Sequence, residues 1–183
     1  MRRAHLVRLC VALAFATGTA VSAQEDPTLL RSKLQITSIA FTSNGQIPSK
    51  YTCDGQNVNP PLTFGSIPPK AQSLALIVED PDVPKDLIPS GVFDHWVIWD
   101  LPADRGGIAE AAPEAKRGLN TKGQGYTGPC PPDREHRYFF KLYALDTKLT
   151  GAKISTKQDL ESAMKGHIID QVELTGRYAR KGR

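Results

Sequence analysis

The stretch "FDHWVIWDLP", residues 93–102, decides the fold class because its pattern is that of a buried β-strand. Two tryptophans and two β-branched residues follow one another without a helical period, which is typical of strands that are covered on both faces. The strand opens, however, with a polar pair, Asp94 and His95. A histidine at the start of a buried strand suggests a functional role at that end of the sheet.

Two further segments predict long strands of the same kind, "SLALIVED" at 73–80 and "HRYFFKLYALD" at 136–146. Other strands are expected near 34–41 and in "DQVELTGRYAR" at 170–180. Between 42 and 69 the chain is rich in turn-forming pairs such as Asn-Gly, Asp-Gly and Pro-Pro, which leave room for short strands at most.

One helix is predicted after Thr156, which is a good N-cap residue with Asp159 in the capping-box position. Leu160 and Met164 share its apolar face, and Gly166 ends it. Because short strands dominate and helices are few, the sequence predicts an all-β fold with minor α. The expected architecture is an antiparallel β-sandwich with a few short helices near the C-terminus.

The first 23 residues have the three parts of a secretory signal peptide. A positive start with three arginines precedes an apolar run at 9–16, and Val21-Ser22-Ala23 is a small-residue cleavage site. The apolar run is too short to span a bilayer. We therefore expect cleavage after Ala23, a single domain over 24–183, and a periplasmic or secreted protein.

The charge of the remaining chain argues against nucleic-acid binding. Without the first 23 residues there are 20 basic against 19 acidic residues, and four of the basic ones lie in the last seven positions. The body of the domain is therefore slightly acidic. No second apolar stretch has the length of a transmembrane helix, so no membrane span is expected.

Two cysteines, Cys53 and Cys130, remain after removal of the signal peptide. An even pair in an exported protein suggests a disulfide bond. Two buried thiols are the alternative, because sequence spacing alone does not show that two cysteines lie close together.

Each of the three long strands carries one ionisable group at one end, in phase with an apolar row. Asp80 ends its strand, whereas His95 and His136 begin theirs. If the Asp80 strand runs antiparallel to the other two, all three groups lie at the same edge of the sheet. Such a polar mouth above an apolar core is the usual form of a small-ligand pocket. The three predicted rows are Leu74, Leu76, Val78 and Asp80; His95, Val97 and Trp99; and His136, Tyr138, Phe140, Leu142 and Ala144.

Two rigid loops flank this mouth, "DPDVP" directly after the first strand and "GQGYTGPCPP" at 123–132. Two histidines can donate hydrogen bonds to an oxyanion, and the backbone amides of 125–128 and the hydroxyl of Tyr138 add further donors. An aspartate, Asp80 or Asp82, is left to accept from a ligand hydroxyl or amine. The sequence therefore predicts a small anion pocket. The alternative is that the histidines merely cap their strands.

Five pieces of the sequence resemble the phosphatidylethanolamine-binding protein family, in its bacterial branch named after Raf kinase inhibitor protein (the YbhB/YbcL type). They are "YTCDGQNVNPPL", "LALIVEDPDVP", "HWVIWDLP", "GYTGPCPP" and "HRYFFKLYALD", followed by "AMKGHII". They occur in order and cover most of 41–178. The resemblance implies a two-sheet antiparallel β-sandwich, a shallow anion pocket for phosphate-type head groups, and a homodimer.

The resemblance also implies which residues bind the ligand. The sequence departs from the family pattern at Asp100, where asparagine is expected, and in the charged run at 133–135 before the second histidine. The family's pocket positions fall on Asp80, Asp82, His95, Gly128, Pro129, Cys130, Pro131, Pro132, His136, Arg137 and Tyr138.

The leading interpretation is an exported, non-enzymatic binding protein that holds a small anion or phosphorylated head group without a cofactor. The alternative is an inhibitor or modulator of an unknown partner protein, such as a kinase or protease, acting through the pocket rim. A hydrolase is disfavoured because there is no Gly-x-Ser-x-Gly motif and a disulfide would silence Cys130, the one conceivable nucleophile. A zinc site is disfavoured because no His-x-x-x-His or Cys-x-x-Cys pair exists.

Overall fold

The computed structural model describes residues 34–180. The predicted signal peptide, the segment 24–33 and the last three residues lie outside the described residues. Within the described range there are ten strands, one α-helix and two short 3-10 helices, Ser49–Tyr51 and Pro113–Lys116. The elements are β1 (Gln35–Thr37), β2 (Gly45–Gln46), β3 (Leu62–Gly65), β4 (Ser73–Asp80), β5 (Phe93–Pro102), β6 (Gly107–Ile108), β7 (Leu119–Asn120), β8 (Gly123–Gln124), β9 (His136–Leu145), α1 (Lys157–Met164) and β10 (Ile168–Tyr178).

The strands form two sheets, as predicted. The large sheet has the order β2-β10-β9-β4-β5-β7-β8, and the small sheet has the order β1-β3-β6. β4 lies in the centre of the large sheet and is antiparallel to both β5 and β9. Among the described strands, the pairing of β2 with β10 is parallel and the others are antiparallel.

The large sheet is covered on both faces around β4, whose eight residues are all buried. The small sheet packs on one face and contributes Ile36, Phe64 and Ile108 to the main core. The other face carries α1, whose Leu160 and Met164 are buried against Ala75, Ile77 and Val97. We call the apolar cluster under the helix the helix-side cluster. Burial on both faces explains why the long strands read as continuous apolar runs.

The helix confirms the predicted capping chemistry. Thr156 and Asp159 form the capping box, and Leu160 and Met164 are the buried residues of α1. This is the single α-helix near the C-terminus in the described chain, since the two 3-10 helices lie in earlier loops. At eight residues it is not long or apolar enough to cross a membrane, and the described range contains no other α-helix.

The predicted row His95–Val97–Trp99 is wrong, because β5 contains a β-bulge. Val78 pairs with Trp96, but the next residue of β4, Glu79, pairs with Asp94, so that His95 is an extra residue in its strand. A bulge turns a side chain out of strict alternation. Trp96 and Ile98 therefore fill the main core, and Val97 and Trp99 belong to the helix-side cluster.

A second irregularity lies at the other end of β5. Leu76 pairs with Ile98 and Leu74 with Leu101, which leaves an extra residue near Asp100. Asp100 has a φ of 51°, a left-handed conformation that Asp and Asn tolerate better than most residues. Its carboxylate accepts a hydrogen bond of 2.7 Å from the backbone N–H of Leu149. The aspartate found here in place of asparagine therefore has a structural role.

Candidate ligand-binding site

The antiparallel arrangement of β4 with β5 and β9 brings the three predicted ionisable groups to one edge of the large sheet. His136 Nδ1 lies 2.7 Å from Asp80 Oδ2. The His95 ring packs edge-on against the ring of Tyr138, with the two centroids 5.2 Å apart. Asp80 and His95 line one cavity of about 340 Å³. The predicted juxtaposition of an acid and two imidazoles is thus present.

The wall of this cavity is mainly apolar. Val83, Leu87 and Ile88 come from the loop after β4, and Phe93 from the start of β5. The Phe93 ring lies against the His95 ring, with the two centroids 4.7 Å apart. The cavity therefore offers a few polar groups in an apolar setting, which is the common composition of a small-molecule site.

His136 is fully buried and uses both of its ring nitrogens inside the protein. Nδ1 meets Asp80, and Nε2 lies 2.8 Å from Asp133 Oδ1. Because carboxylate oxygens only accept hydrogen bonds, both contacts are satisfied when both nitrogens donate. In this arrangement His136 has no nitrogen left for an oxyanion. The expectation that both histidines donate to a ligand does not hold for His136, which instead bridges two carboxylates.

His95 has a different environment. Its Nδ1 lies 2.6 Å from the carbonyl oxygen of Thr127, so this nitrogen carries the proton and donates. Nε2 is left as the nitrogen that can meet a ligand. Burial lowers the pKa of His95 to about 4, and the charges of Lys122 and His136 add to this effect. Near neutral pH the imidazole is therefore uncharged, and Nε2 is an acceptor.

Asp80 is held from two sides. Its Oδ1 accepts a hydrogen bond of 2.8 Å from the backbone N–H of Asp82, and its Oδ2 faces His136. Burial raises the pKa of Asp80, although the bond with His136 opposes this shift. A carboxyl group with a raised pKa takes up a proton more readily than an exposed one.

Tyr138 contributes a buried hydroxyl near the Asp80 carboxylate, without a well-aligned hydrogen bond to a described residue. Burial raises the pKa of Tyr138, and the nearby charge of Asp80 raises it further. The hydroxyl is therefore a permanent donor. Its nearby acceptor is Asp80, and Tyr138 is not among the residues that line the cavity.

Asp82 and Arg137 pair with each other and do not line the cavity. Arg137 Nε and Nη2 donate to Asp82 Oδ2 and Oδ1 at 2.8 and 2.7 Å. The hydrogen bond with Arg137 lowers the pKa of Asp82 to about 2. This bidentate ion pair joins the loop after β4 to the start of β9. The two residues therefore support the edge of the site and have no contact with the cavity itself.

The loop at 123–132 does not supply the free amides that the sequence suggested. The N–H groups of Gly125, Tyr126 and Thr127 donate to backbone carbonyls, and that of Gly128 donates to Asn57 Oδ1 at 2.7 Å. The prediction of amide donors for a phosphate is therefore wrong. The role of the loop is to hold the Thr127 carbonyl against His95.

Gly128 is required by a close approach of two chain segments. A Cβ atom at this position would lie 2.3 Å from the backbone oxygen of Tyr51. The neighbouring prolines, Pro129 and Pro131, are buried but do not line the cavity, whereas Pro132 does. This loop is thus fixed by packing on the segment at 51–57.

A disulfide bond joins Cys53 and Cys130, whose Cα atoms are 5.4 Å apart. Both residues line the cavity. The bond occupies the sulfur of Cys130, so this residue has no thiol with which to act as a nucleophile. The disulfide that the cysteine count suggested is present, and it closes one side of the site.

Sequence reasoning missed Lys122, which lies in the turn between β7 and β8 and lines the cavity. Its Nζ lies 5.7 Å from the centroid of the Phe93 ring. Among the described residues of the cavity wall it is the one lysine or arginine. No sequence signal identifies it, because only the pairing of β5 with β7 brings this turn beside the start of β5.

A larger cavity, of about 650 Å³, lies at the opposite end of β4 and β5, near Ser73 and Leu101. No histidine lines it, and it is remote from the cluster around Asp80. Chemistry rather than size therefore selects the smaller cavity as the candidate site. Within residues 34–180, no group of three or more His, Cys, Asp or Glu side chains is arranged to hold a metal ion.

Comparisons with known proteins agree with this fold. The family model described as phosphatidylethanolamine-binding protein matches residues 37–179. A UPF0098 protein of Chlamydia pneumoniae is 50% identical over 147 residues, which cover 79% of this chain and 98% of that protein. A UPF0098 protein of Methanothermobacter thermautotrophicus is 48% identical over 149 residues, which cover 77% of this chain and 95% of that protein.

Two crystal structures are also similar over 82% of this chain and 100% of the other chain. A phosphatidylethanolamine-binding protein homologue from Chlamydia trachomatis has a TM-score of 0.79 and 44% identity. Escherichia coli YbcL, described as a member of the mammalian family, has a TM-score of 0.72 and 27% identity. The match of the family model and the identity to these relatives show that the chain belongs to the phosphatidylethanolamine-binding protein family.

Proposed function

We propose that this member of the family is a non-enzymatic binding protein whose cavity takes a small phosphate-type anion or phosphorylated head group. The observation that carries the proposal is the composition of the cavity. Lys122 lines the same space as His95, whose free Nε2 changes from acceptor to donor when it takes up a proton.

The environment of His95 favours a proposal in which the anion binds together with a proton. In the empty cavity, His95 is neutral near pH 7 because burial lowers its pKa to about 4. Asp80 is less suited to take up that proton, because both of its oxygens already accept hydrogen bonds, from the Asp82 N–H and from His136. A phosphate group beside His95 favours protonation of this imidazole, since the protonated Nε2 can donate a hydrogen bond to the phosphate. Binding therefore strengthens as the pH falls from 7.5 to 5.5.

The apolar wall of the cavity favours a ligand that carries carbon atoms next to its phosphate group. Leu87, Ile88 and Phe93 cannot satisfy the charge of an inorganic ion, but they can cover carbon atoms attached to it. A phosphate ester therefore fits the cavity better than inorganic phosphate. The disulfide at Cys130 supports a binding role over nucleophilic catalysis, because it leaves that residue without a thiol.

Export to the periplasm or the cell exterior is part of the same proposal. The signal-like segment at 1–23 favours it, and so does the disulfide, because both cysteines are exposed and such bonds persist in oxidising compartments. The homodimer remains a prediction from the resemblance. Light scattering during size-exclusion chromatography would test it, and a monomer mass at every protein concentration would contradict it.

A second function, the inhibition or modulation of a partner protein, is favoured by one specific observation. Leu87, at the rim of the cavity, is 60% exposed. Covering a large apolar side chain with a partner protein removes its surface from water, which favours association. Capture of a partner that is lost in Leu87→Asp, without ligand-induced shifts of His95, would favour this second function over the first.

Titration calorimetry of the mature protein with inorganic phosphate and O-phosphorylethanolamine tests the first function. We expect tighter binding of the ester, stronger binding at pH 5.5 than at 7.5, and proton uptake measured in buffers of different ionisation heat. Lys122→Gln should weaken binding roughly fivefold. Lys148→Gln, at the opposite cavity, is the matched control and should bind normally. No binding heat at either pH, with unmoved His95 signals, would overturn the proposal.

A further inference from the structure

Behind the cavity, on the face of the large sheet that α1 covers, one lysine joins two carboxylates. Lys157 Nζ lies 2.8 Å from Glu79 Oε2 and 2.8 Å from Asp94 Oδ1. The side chains of Lys157 and Glu79 are only 11% and 10% exposed. A charge with so little exposure to water destabilises the fold unless an opposite charge lies beside it. This contact therefore matters more for stability than an ordinary surface ion pair.

The two carboxylates lie at the step in the strand pairing that creates the bulge. Glu79 and Asp94 are partners across β4 and β5, directly after the register shift that follows the Val78–Trp96 pair. Two like charges placed opposite each other in an antiparallel pair repel. A cation between Glu79 and Asp94 offsets this repulsion, and Lys157 occupies that place.

The same step presents the residues of the cavity on the opposite face. Asp80 follows Glu79 in β4, and His95 follows Asp94 in β5. Both side chains line the cavity. A change in the register of Glu79 against Asp94 would move Asp80 and His95 relative to each other, because side-chain direction depends on register.

Lys157 is itself held in place by α1. It is the first residue of the helix, directly after the N-cap residue Thr156 and within the capping box that Thr156 and Asp159 form. The helix is anchored by Leu160 and Met164 in the helix-side cluster. The position of the ammonium group is thus set by a packed helix rather than by a flexible surface segment.

We infer that Lys157 is a positioning residue for the site, because it neutralises Glu79 and Asp94 together and thereby holds the bulge that turns His95 into the cavity. This inference rests on the proposed binding role of His95. Glu79 and Asp94, the ion-pair partners of Lys157, are not among the residues that line the cavity. The effect of Lys157 passes through the pairing of β4 and β5.

The chain offers a matched control in Lys141. Its Nζ lies 2.5 Å from Glu79 Oε1, but it has no contact with Asp94. Lys141→Met therefore removes one cation from Glu79 without removing the link between the two strands. Lys157→Met removes that link, while the methionine keeps most of the apolar stem of the lysine.

The experiment has two readouts, both preceded by thermal melting to show that each variant is folded. The first readout is the NMR signature of the His95 ring in the ligand-free protein, where Nδ1 carries the proton that is donated to Thr127. The second is the affinity for O-phosphorylethanolamine. We expect Lys157→Met to change the ring signature and to weaken binding about tenfold, and Lys141→Met to leave both near wild type.

A rescue variant distinguishes positioning from a general loss of stability. Asp94→Asn combined with Lys157→Met removes the repulsion between the carboxylates, so the His95 signature should return toward that of wild type. It also keeps the test valid if Lys157→Met alone does not fold. An unchanged signature in Lys157→Met, an equal change in Lys141→Met, or no rescue in the double variant would each overturn the inference.

The first readout separates this inference from the proposed function. If wild type binds neither phosphate nor O-phosphorylethanolamine, the proposed function fails. A His95 signature that still depends on Lys157, and is rescued by Asp94→Asn, would then support the positioning role by itself.

Discussion

His95 and His136 lie at the same edge of the sheet, yet their surroundings give them opposite properties. His136 is enclosed by two carboxylates, Asp80 and Asp133, and has no free nitrogen. His95 donates to the neutral carbonyl of Thr127 and keeps Nε2 for a ligand. At the scale of single residues, the difference between a structural and a binding histidine is therefore set by which partners the fold provides.

Replacement of His95 by Gln is expected to remove a pH-dependent part of the stability. Burial lowers the pKa of His95 from 6.5 to about 4, so the unfolded chain takes up the proton first as the pH falls. The contribution is present above about pH 6.5 and is lost toward pH 4, by about 3 kcal/mol in total. Urea unfolding at several pH values should show a smaller loss in His95→Gln. Equal losses in both proteins would contradict this prediction.

His136→Ala should destabilise the protein far more than a change at the neighbouring exposed pair. It leaves the buried Asp80 without its imidazole partner, which costs about 3 kcal/mol or more. Arg137→Gln removes a partner whose side chain is 48% exposed, and it should cost about 1 kcal/mol or less. Denaturant unfolding measures both, and similar values would show that His136 is not the structural bridge described above.

At the scale of elements, two irregular features rather than the regular strands shape the site. The bulge in β5 turns His95 to the same side as Trp96. The loop at 126–132 packs against the segment at 51–57 and carries the carbonyl of Thr127. Both features depend on close contacts between segments that are distant in sequence. A substitution that disturbs either feature should therefore change the orientation or the hydrogen bond of the His95 ring.

Gly128→Ala tests the packing of this loop. The new Cβ would lie 2.3 Å from the Tyr51 carbonyl oxygen, so the loop has to shift, at a cost of about 1–3 kcal/mol. Because Thr127 precedes this glycine, the His95 ring signals should move as well. Gly106→Ala is the matched control, since its Cβ meets nothing within 4 Å and should change stability by less than about 0.5 kcal/mol. Unfolding curves measure the stability of both variants, and NMR spectra show whether the His95 signals move. Equal effects of the two substitutions would contradict the prediction.

At the scale of the whole molecule, the C-terminal strand and the cavity wall are linked through residues 53 and 54. Tyr178 donates a hydrogen bond to Asp54, and the Arg180 guanidinium pairs with the same carboxylate. The neighbouring Cys53 is bonded to Cys130. The disulfide therefore connects the end of β10 to the loop that holds His95.

Loss of the disulfide should lower the free energy of unfolding by about 4 kcal/mol, because the bond closes a loop between residues 77 positions apart. The variant Cys53→Ser with Cys130→Ser can be compared with wild type by urea unfolding, with and without reductant. Reductant should destabilise wild type and leave the double variant unchanged. A difference below about 1 kcal/mol between the oxidised protein and the variant would contradict the prediction.

The sequence by itself determined the mainly β character, the three long strands, the capped helix and the end of the sheet at which Asp80, His95 and His136 meet. These features depend on local propensity and on the alternation of side chains along a strand, and both can be read from the order of the residues. The family resemblance also came from the sequence, through motifs in a fixed order, and the match of the family model confirms it.

Only the tertiary structure decided how those groups work. It placed both nitrogens of His136 against carboxylates and paired Asp82 with Arg137. It engaged the backbone amides of 125–128 in hydrogen bonds within the protein and brought Lys122 to the cavity. It also put the bulge at His95, which strict alternation does not allow for. The physical reason is that hydrogen-bond partners and bulges are set by contacts between distant segments, and residue order alone does not specify which donor meets which acceptor.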